Sequence, residues 1–306
     1  MIRIDPRALQ ECLGPAPTVR GMGTSRAALR AAALSLAGLI LTGTVALALP
    51  AGRGLDATTL HGFMGFDRPV LDPVILLVIQ VGNPVIYAFL GALIALAAHR
   101  RHQPRLALAI VAILFASVAT SEVLKVVLAG SRPGDFISAD WSIGGASWPS
   151  GHATAAMSLS MCALMASPPA RRHLIAAAGA ALTIAVSYAL VIAGGHLPSD
   201  VVGAFFVSAF WTTLALAVLR RHQEGLAPTS WRSFLRSSLP PYVVTWGLAA
   251  TLGLAVVVAR PETVAGWLPG HERFLVGALS IALIAQAVVM GFARVLGPGA
   301  ADARRT

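Results

Sequence analysis

Charged side chains are scarce in this sequence. They make up 12% of its 306 residues, whereas 56% of the residues are hydrophobic. Soluble globular domains carry about a quarter charged residues, so the composition excludes such a domain and is typical of an integral membrane protein. Cysteine is also nearly absent. Because Cys12 is predicted to lie in a cytoplasmic tail and Cys162 inside the membrane, a disulfide framework is excluded.

Apolar runs of about 20 residues, long enough to cross the hydrocarbon core of a bilayer, occur eight times. We therefore predict an all-α, polytopic membrane helix bundle, with a six-span core followed by two additional C-terminal spans. The fourth run is short for a span and is expected to use residues on both of its flanks. The predicted spans are Ala31–Leu49, Val74–Ala98, Leu106–Ala129, Ala153–Ala166, Leu174–Ala193, Val201–Leu219, Val243–Val258 and Phe274–Phe292.

The spans also predict how the chain is organised. The first run resembles the apolar core of a signal peptide, because small residues follow it, but the 30 residues before it are long for a signal peptide. We therefore expect a retained span. The predicted parts are a cytoplasmic N-terminal tail (1–30), the six-span core (31–219), a cytoplasmic linker (220–242), and two extra spans with the C-terminal tail (243–306).

The net charge is +10, and the distribution of the basic residues along the chain predicts the topology. Arginine clusters fall in alternate loops and at both termini, and the positive-inside rule places such clusters in the cytoplasm. Both termini are therefore predicted to be cytoplasmic in a cell membrane, and the charge does not indicate a nucleic-acid partner. The clusters are Arg20, Arg26 and Arg30; Arg100, Arg101 and Arg105; Arg171 and Arg172; Arg220 and Arg221; and Arg294, Arg304 and Arg305.

Lysine occurs only once, as Lys125 at the end of the third predicted span. Arg132 follows on the predicted outward side, against the positive-inside bias. A lysine that acts as a point charge and an arginine that acts as a bidentate fork can together hold an anion. Each side chain would also fit an ordinary structural role, since Lys125 can snorkel at a span end and Arg132 can be a loop residue.

The segment SWPSGHAT, Ser147 to Thr154, interrupts two apolar runs. Pro149 and the preferred N-cap Ser150 predict that a helix starts here, and a helix N-terminus offers unpaired N–H groups to an anion. Gly151 lets the backbone approach a ligand closely. His152 would then stand in the first turn, able to protonate a leaving oxygen. The alternative is a plain capped helix with an interfacial histidine.

A second polar segment, GGHLPSD, follows the fifth predicted span. Pro198 again predicts a helix start. Asp200, four residues after His196, can hold one imidazole N–H and leave the other ring nitrogen as a nucleophile. Both polar segments and Lys125 map to one face of the membrane. Together they indicate a phosphoryl-transfer site, with charges on the phosphate oxygens, a nucleophile on one side and an acid on the other.

These motifs resemble, in order and spacing, the signature of the type 2 phosphatidic acid phosphatase superfamily. That superfamily covers lipid phosphate phosphatases, bacterial isoprenoid-pyrophosphate phosphatases and, more distantly, vanadium haloperoxidases. The resemblance spans about Ala31 to Leu219, and the stretch Leu71–Gly82 is similar to the region where the family's second span begins. The matching residues are Lys125, Arg132 and Pro133, then Pro149, Ser150, Gly151 and His152, then His196 and Asp200.

The resemblance implies a metal-independent phosphatase without a cofactor. His196 would attack phosphorus and form a phosphohistidine, and Asp200 would orient it. His152 would protonate the leaving oxygen and then activate water for the second step. The implied phosphate-binding groups are Lys125, Arg132 and the backbone at Ser150 and Gly151.

One family residue is missing. The third motif normally carries an arginine six residues before the histidine, and here Ala189 and Leu190 occupy that region. Loss of this ligand is expected to weaken transition-state binding by a few kcal/mol, unless an arginine such as Arg260 or Arg273 in the last outer loop replaces it. Because Leu190 is expected near the interface, Leu190→Arg would restore the contact and lower the barrier by about 1–3 kcal/mol.

The sequence therefore predicts a phosphatase acting on a lipid phosphate or isoprenyl pyrophosphate at the outer membrane face. A phosphotransferase on the same scaffold is one alternative. A lipid-binding or transport homologue with weakened catalysis is another, and Leu190 favours it. Asp135 and Asp140 share a loop with Arg132, but they form no cluster with the ligand spacing of a metal-dependent phosphatase.

Overall fold

The computed structural model describes residues 20–65, 68–129, 145–221, 251, 255 and 257–296, and these are predominantly helical. The helix α1 continues as a π-helical turn, Thr44–Ala48, and short 3-10 turns occur at Gln80–Gly82 and Pro169–Arg171. No strand occurs among these residues, and the predicted all-α membrane bundle is confirmed. The helices are α1 (Arg20–Gly43), α2 (Pro50–Met64), α3 (Arg68–Ile79), α4 (Pro84–Arg100), α5 (Pro104–Val127), α6 (Gly151–Ala166), α7 (Arg172–Ile192), α8 (Pro198–Arg221), α9 (Pro261–Trp267) and α10 (Glu272–Leu296).

Five helical segments are long and apolar enough to cross a membrane. They correspond to the first, third, fifth, sixth and eighth predicted spans. Most of the seventh predicted span lies outside the described residues. The five segments are Ser25–Ala48, Pro104–Val127, Arg172–Ile192, Pro198–Arg221 and Glu272–Leu296.

The second predicted span is not one straight helix. Leu71–Gly82 and Pro84–Arg100 meet at an angle of 59°. The break has a local cause, because Pro84 lacks the N–H that a continuous helix needs and the Asn83 side chain accepts a hydrogen bond from Val85 N at 3.0 Å. Asn83 thus starts α4 as a separate helix, and the second predicted span corresponds to a bent pair of helices that together are long and apolar enough to cross a membrane.

The fourth predicted span corresponds to α6, which lies at the centre of the bundle. Its 16 residues rise about 24 Å at 1.5 Å per residue, less than the ~30 Å of a hydrocarbon core. Nearly all of them are buried, in contact with α4, α5, α7 and α8. Hydroxyl groups join α6 to its neighbours: Ser160 Oγ donates to Gly179 O of α7 at 3.0 Å. Tyr87 of α4 bonds Ser158 at 3.1 Å.

One end of the bundle is basic. Arg101 donates to Ala166 O at the end of α6 at 2.7 Å. Arg220 donates to Val295 O and Leu296 O at the end of α10, both at 2.8 Å. Arg172 lies close enough to Arg101 and Arg220 to interact with both electrostatically. Three predicted arginine clusters therefore share one end, where the cations satisfy helix C-terminal carbonyls.

The helix α2 connects the last helix to the rest of the bundle. Thr59 and Phe63 of α2 are buried, and the Phe63 ring lies 4.7 Å from the Phe274 ring and 5.6 Å from the Tyr188 ring. Tyr188 of α7 donates to Ala278 O of α10 at 2.6 Å. The eighth predicted span therefore packs directly on the core helices α7 and α8, and also on α2, a segment that the sequence did not identify as a helix.

Trp148 precedes the polar segment at the other end of the bundle and fits between two glycines. It is 5% exposed. A Cβ atom on Gly203 of α8 would lie 2.8 Å from Trp148 Nε1, and one on Gly43 of α1 would lie 2.9 Å from Trp148 Cη2. Contacts this short are not tolerated without movement, so the two glycines determine where the indole ring lies.

We expect Gly203→Ala to lower the free energy of unfolding by about 1–3 kcal/mol, because the new methyl group overpacks against Trp148. The measurement is the Tm of the purified protein in detergent. Gly266→Ala is the matched control, since nothing lies within 4 Å of a Cβ atom at that position. Equal Tm values for the two variants would contradict the packing of Trp148 described here.

Candidate active site

The turn between α7 and α8 carries His196. Gly194, just after α7, has φ of +70°, a conformation that glycine adopts without strain. Gly195 N donates to Leu190 O at 3.0 Å, so the chain reverses tightly. Pro198 is the first residue of α8, as predicted, and Asp200 lies in the first turn of that helix. The turn therefore brings His196 back over the N-terminus of α8.

His196 and Asp200 form a hydrogen-bonded pair. Their atoms Nδ1 and Oδ2 lie 3.3 Å apart, and Leu197 N donates to the same carboxylate oxygen at 3.0 Å. Asp200 is fully buried, whereas the His196 side chain is 15% exposed. Since a carboxylate only accepts hydrogen bonds, Nδ1 carries the proton in the neutral imidazole, and Nε2 keeps its lone pair.

The segment around Ser150 begins α6, as predicted. Ser150 Oγ accepts a hydrogen bond from Ala153 N at 3.4 Å, and Ser150 O accepts one from Thr154 N at 3.0 Å. Within the described part of the chain, the N–H groups of Gly151 and His152 donate to no other residue. Two backbone donors at a positive helix end are therefore available to an anion.

Hydrogen bonds join this segment to both neighbouring helices. Ser150 N donates to the backbone oxygen of Asp200 at 3.0 Å, and Ser121 Oγ of α5 donates to Pro149 O at 3.0 Å. Ser121 lies one helical turn before Lys125. These two bonds bring together the three sequence motifs at the end of the bundle opposite the arginines.

Lys125 lies beside the start of α6. Its Nζ atom is 3.1 Å from the position of a Cβ atom on Gly151, and its side chain is 20% exposed. Glu122, which the sequence did not single out, accepts a hydrogen bond from Nζ at 2.6 Å. Its position three residues before Lys125 on a helix is the signal that predicts such a pair. The ammonium group is thus held next to the two available N–H groups.

His152 completes the cluster. It packs on Gly82, where a Cβ atom would lie 2.3 Å from His152 Cδ2, so the bend between α3 and α4 makes room for the imidazole. His152 lies one residue ahead of the apolar run Ala153–Ala166. Burial lowers its pKa most, the nearby His196 and Lys125 lower the pKa further, and Glu122 raises it. These side chains are therefore within electrostatic reach of His152.

Asp56 of α2 is a neighbour of the cluster that the sequence did not reveal. It is 6% exposed. Its Oδ1 atom accepts a hydrogen bond from Ser199 N at 2.9 Å, and its other carboxylate oxygen accepts one from the Ser199 hydroxyl. Ser199 directly precedes Asp200, so Asp56 anchors the first turn of α8. The sequence does contain a signal for Asp56. Acidic residues are scarce, with 13 Asp and Glu in the chain, and this one directly follows an apolar run.

The predicted site residues thus have two outcomes. Six of them converge at one end of the bundle: Lys125, Ser150, Gly151, His152, His196 and Asp200. Arg132 and Pro133 lie outside the described residues, as do Asp135 and Asp140.

Leu190 lies in the last turn of α7, four residues before Gly194. The expectation was a position near the interface, from which a longer side chain would reach the site. The side chain is 5% exposed and packs within the main apolar cluster of the bundle.

Comparison with known proteins agrees with these motifs. Residues 106–224 match the family model described as the PAP2 superfamily. The match begins in α5, ends just after α8 and contains all three motifs. No curated protein and no solved structure matches the chain significantly. Residues 106–224 are therefore similar to the PAP2 superfamily, which generally comprises phosphatases, and this similarity supports a phosphatase-type function.

Proposed function

We propose that this protein is a membrane lipid phosphatase that hydrolyses a lipid phosphate or an isoprenyl pyrophosphate through a phosphohistidine on His196. One observation carries the proposal. A histidine held by Asp200, a second histidine and a lysine meet at the N-terminus of α6, at one end of an apolar bundle. A lipid substrate would place its tail along the bundle and its phosphate at that end.

In the first step, His196 Nε2 attacks phosphorus. The new N–P bond forms as the bond between phosphorus and the leaving oxygen breaks, and that oxygen takes a proton from His152. Asp200 stabilises the positive imidazole through the Nδ1–H bond. Burial most of all, and then His196 and Lys125, lower the pKa of His152, while Glu122 raises it. A bound phosphate adds negative charge there, which favours the protonated form that this step needs.

In the second step, neutral His152 removes a proton from water. The resulting oxygen nucleophile attacks phosphorus, the N–P bond breaks and His196 recovers its neutral form. The sum is hydrolysis: lipid phosphate and water give the lipid alcohol and inorganic phosphate, or isoprenyl phosphate and inorganic phosphate when the substrate is a pyrophosphate. Neither histidine is consumed.

The phosphate oxygens would be held by Lys125 and by the N–H groups of Gly151 and His152. These donors would stabilise the negative charge that spreads over three phosphate oxygens in the transition state. Arg132 is proposed as a further ligand. Glu122, which accepts a hydrogen bond from Lys125, would give up this bond when Lys125 binds the phosphate, since the Glu122 side chain is exposed to solvent.

We further propose that this end of the bundle faces outward. Arg101, Arg172 and Arg220 lie at the opposite end, which the positive-inside rule assigns to the cytoplasm. Both termini would then be cytoplasmic, and the substrate phosphate would be reached from the outer leaflet.

Activity is expected to survive a chelator and to be inhibited by vanadate, because histidine and lysine side chains rather than a metal ion carry the proposed steps. His196→Ala should reduce the release of inorganic phosphate by at least about 10³-fold, with His99→Ala, at the basic end, as control. The assay uses purified protein in detergent, a panel of lipid phosphates and no added acceptor. Activity that disappears with chelator and returns with magnesium would contradict the mechanism, and phosphate transfer that requires an acceptor would indicate a phosphotransferase.

Asp56→Asn is expected to lower kcat about tenfold, because the first turn of α8 loses an anchor and His196 is held less well, with little change in KM. Ser199→Ala should show a smaller effect, since Ser199 N can still donate to Asp56. Leu55→Ala, an exposed neighbour on α2, is the control. A kcat unchanged in Asp56→Asn would show that the anchor does not position the nucleophile.

The burial of Leu190 reverses the expectation for Leu190→Arg. Arginine at the centre of a membrane span raises the free energy by approximately 2.5–3.5 kcal/mol. An arginine without a partner among buried apolar side chains raises it further, so we expect less folded protein and a lower Tm. Leu174→Arg on the same helix is the control, because Leu174 is exposed near the basic end. A stable Leu190→Arg variant with higher turnover would show instead that the position reaches the phosphate.

A further inference from the structure

A cavity lies on the side of α2 away from Asp56, the residue that anchors α8. Its volume is about 620 Å³, and it opens between α2 and the turn that precedes α10. Gly62 and Gly65 form part of the α2 wall, and Gly270, with φ of +100°, lies opposite. Glycine walls leave the backbone accessible to a ligand.

Three basic side chains line this cavity: His61 of α2, and His271 and Arg273 at the start of α10. Of the described residues that line it, none is acidic. The nearest acid, Glu272, accepts a hydrogen bond from Gly270 N at 3.0 Å. Arg273 makes no ion pair with any residue in the described part of the chain. The cavity therefore offers donors and positive charge from its lining, while the carboxylate of Glu272 lies outside the lining and within electrostatic reach of His271 and Arg273.

The orientation of His271 is determined by Trp267. His271 Nδ1 lies 2.6 Å from Trp267 O, and the two rings stack with centroids 4.0 Å apart and an angle of 19°. Because a carbonyl oxygen only accepts, Nδ1 carries a proton. Nε2 then faces across the cavity, 3.9 Å from the position of a Cβ atom on Gly65, and donates to an anion when protonated.

Exposed apolar side chains lie beside the cavity. Trp267 and Leu268 at its side are 37% and 43% exposed, and tryptophan is enriched where lipid meets water. Helix α2 forms a wall of the cavity and also anchors Ser199 beside Asp200. From Asp56 to His61 the helix rises about 7.5 Å, so the cavity and the candidate active site are close neighbours.

We propose that this cavity binds a phosphate group, supplied by the headgroup of a membrane phospholipid or by free phosphate. Arginine forks onto two phosphate oxygens, and the two imidazoles donate to the others. The assignment rests on the proposed function in one respect: it assumes that lipid phosphates reach this end of the bundle. It needs no catalytic step.

The test uses full-length protein with Lys125→Ala and His196→Ala, which removes the catalytic phosphate site, so that a failed mechanism and a failed cavity are distinguishable. The probes are inorganic phosphate and the soluble lipid dihexanoyl phosphatidic acid, with dihexanoyl phosphatidylcholine for comparison, and Kd is measured by calorimetry. When Arg273→Gln and His61→Gln are introduced into this background, Kd is expected to rise at least about tenfold. Arg273→Lys should recover part of the affinity. Arg260→Gln, an arginine outside the cavity, should leave Kd unchanged.

An equal loss for both anionic probes would identify phosphate itself as the recognised group, whereas binding of the lipid alone would identify a headgroup as its source. Both results support the cavity as a phosphate site. The proposal is overturned if Arg273→Gln with His61→Gln leaves Kd unchanged, if Arg260→Gln weakens binding equally, or if neither probe binds. Because the substituted side chains are exposed, Tm should stay the same, and this is measured alongside Kd.

Discussion

The hydrogen bond from Ser150 N to the backbone oxygen of Asp200 holds the candidate site together. It joins the start of α6 to the first turn of α8, two helices that are contiguous neither in sequence nor through a shared loop. His152 follows Ser150 and His196 precedes Asp200, so one backbone bond sets the separation of the two histidines. Ser121 Oγ adds α5, and with it Lys125, to the same arrangement. In an apolar medium such bonds are costly to leave unmade, which keeps the three helix ends in register.

The bundle is electrically asymmetric from end to end. Arginines satisfy helix C-terminal carbonyls at one end, while the N-termini of α6 and α8, Lys125, His152 and His196 gather at the other. Backbone groups at helix ends require partners, and the chain meets this requirement with side chains at the basic end. At the N-terminus of α6, in the described part of the chain, it leaves Gly151 N and His152 N without a protein partner, where an anion would supply one.

Helix α2 has two roles in this arrangement. One face carries Asp56, which anchors Ser199, and other positions pack on α10 through Thr59 and Phe63. The C-terminal helix, which follows the segment matched by the family, is thereby connected to the turn that carries the nucleophile candidate. The same helix borders the basic cavity at His61. Helix α10 also contacts α8 directly.

Sequence alone determined the membrane class, most of the spans, both helix starts and the motif residues, because apolar length, proline and N-cap preferences act locally. Arg132 remains a prediction outside the described residues. The tertiary structure decided what depends on distant contacts: the bend at Asn83 that accommodates His152, the Glu122 partner of Lys125, and Asp56 as an anchor 143 residues from Ser199. It also buried Leu190, whose place in sequence suggested the interface. A helical position faces inward or outward according to the helices packed around it, and a single sequence carries no record of that rotation.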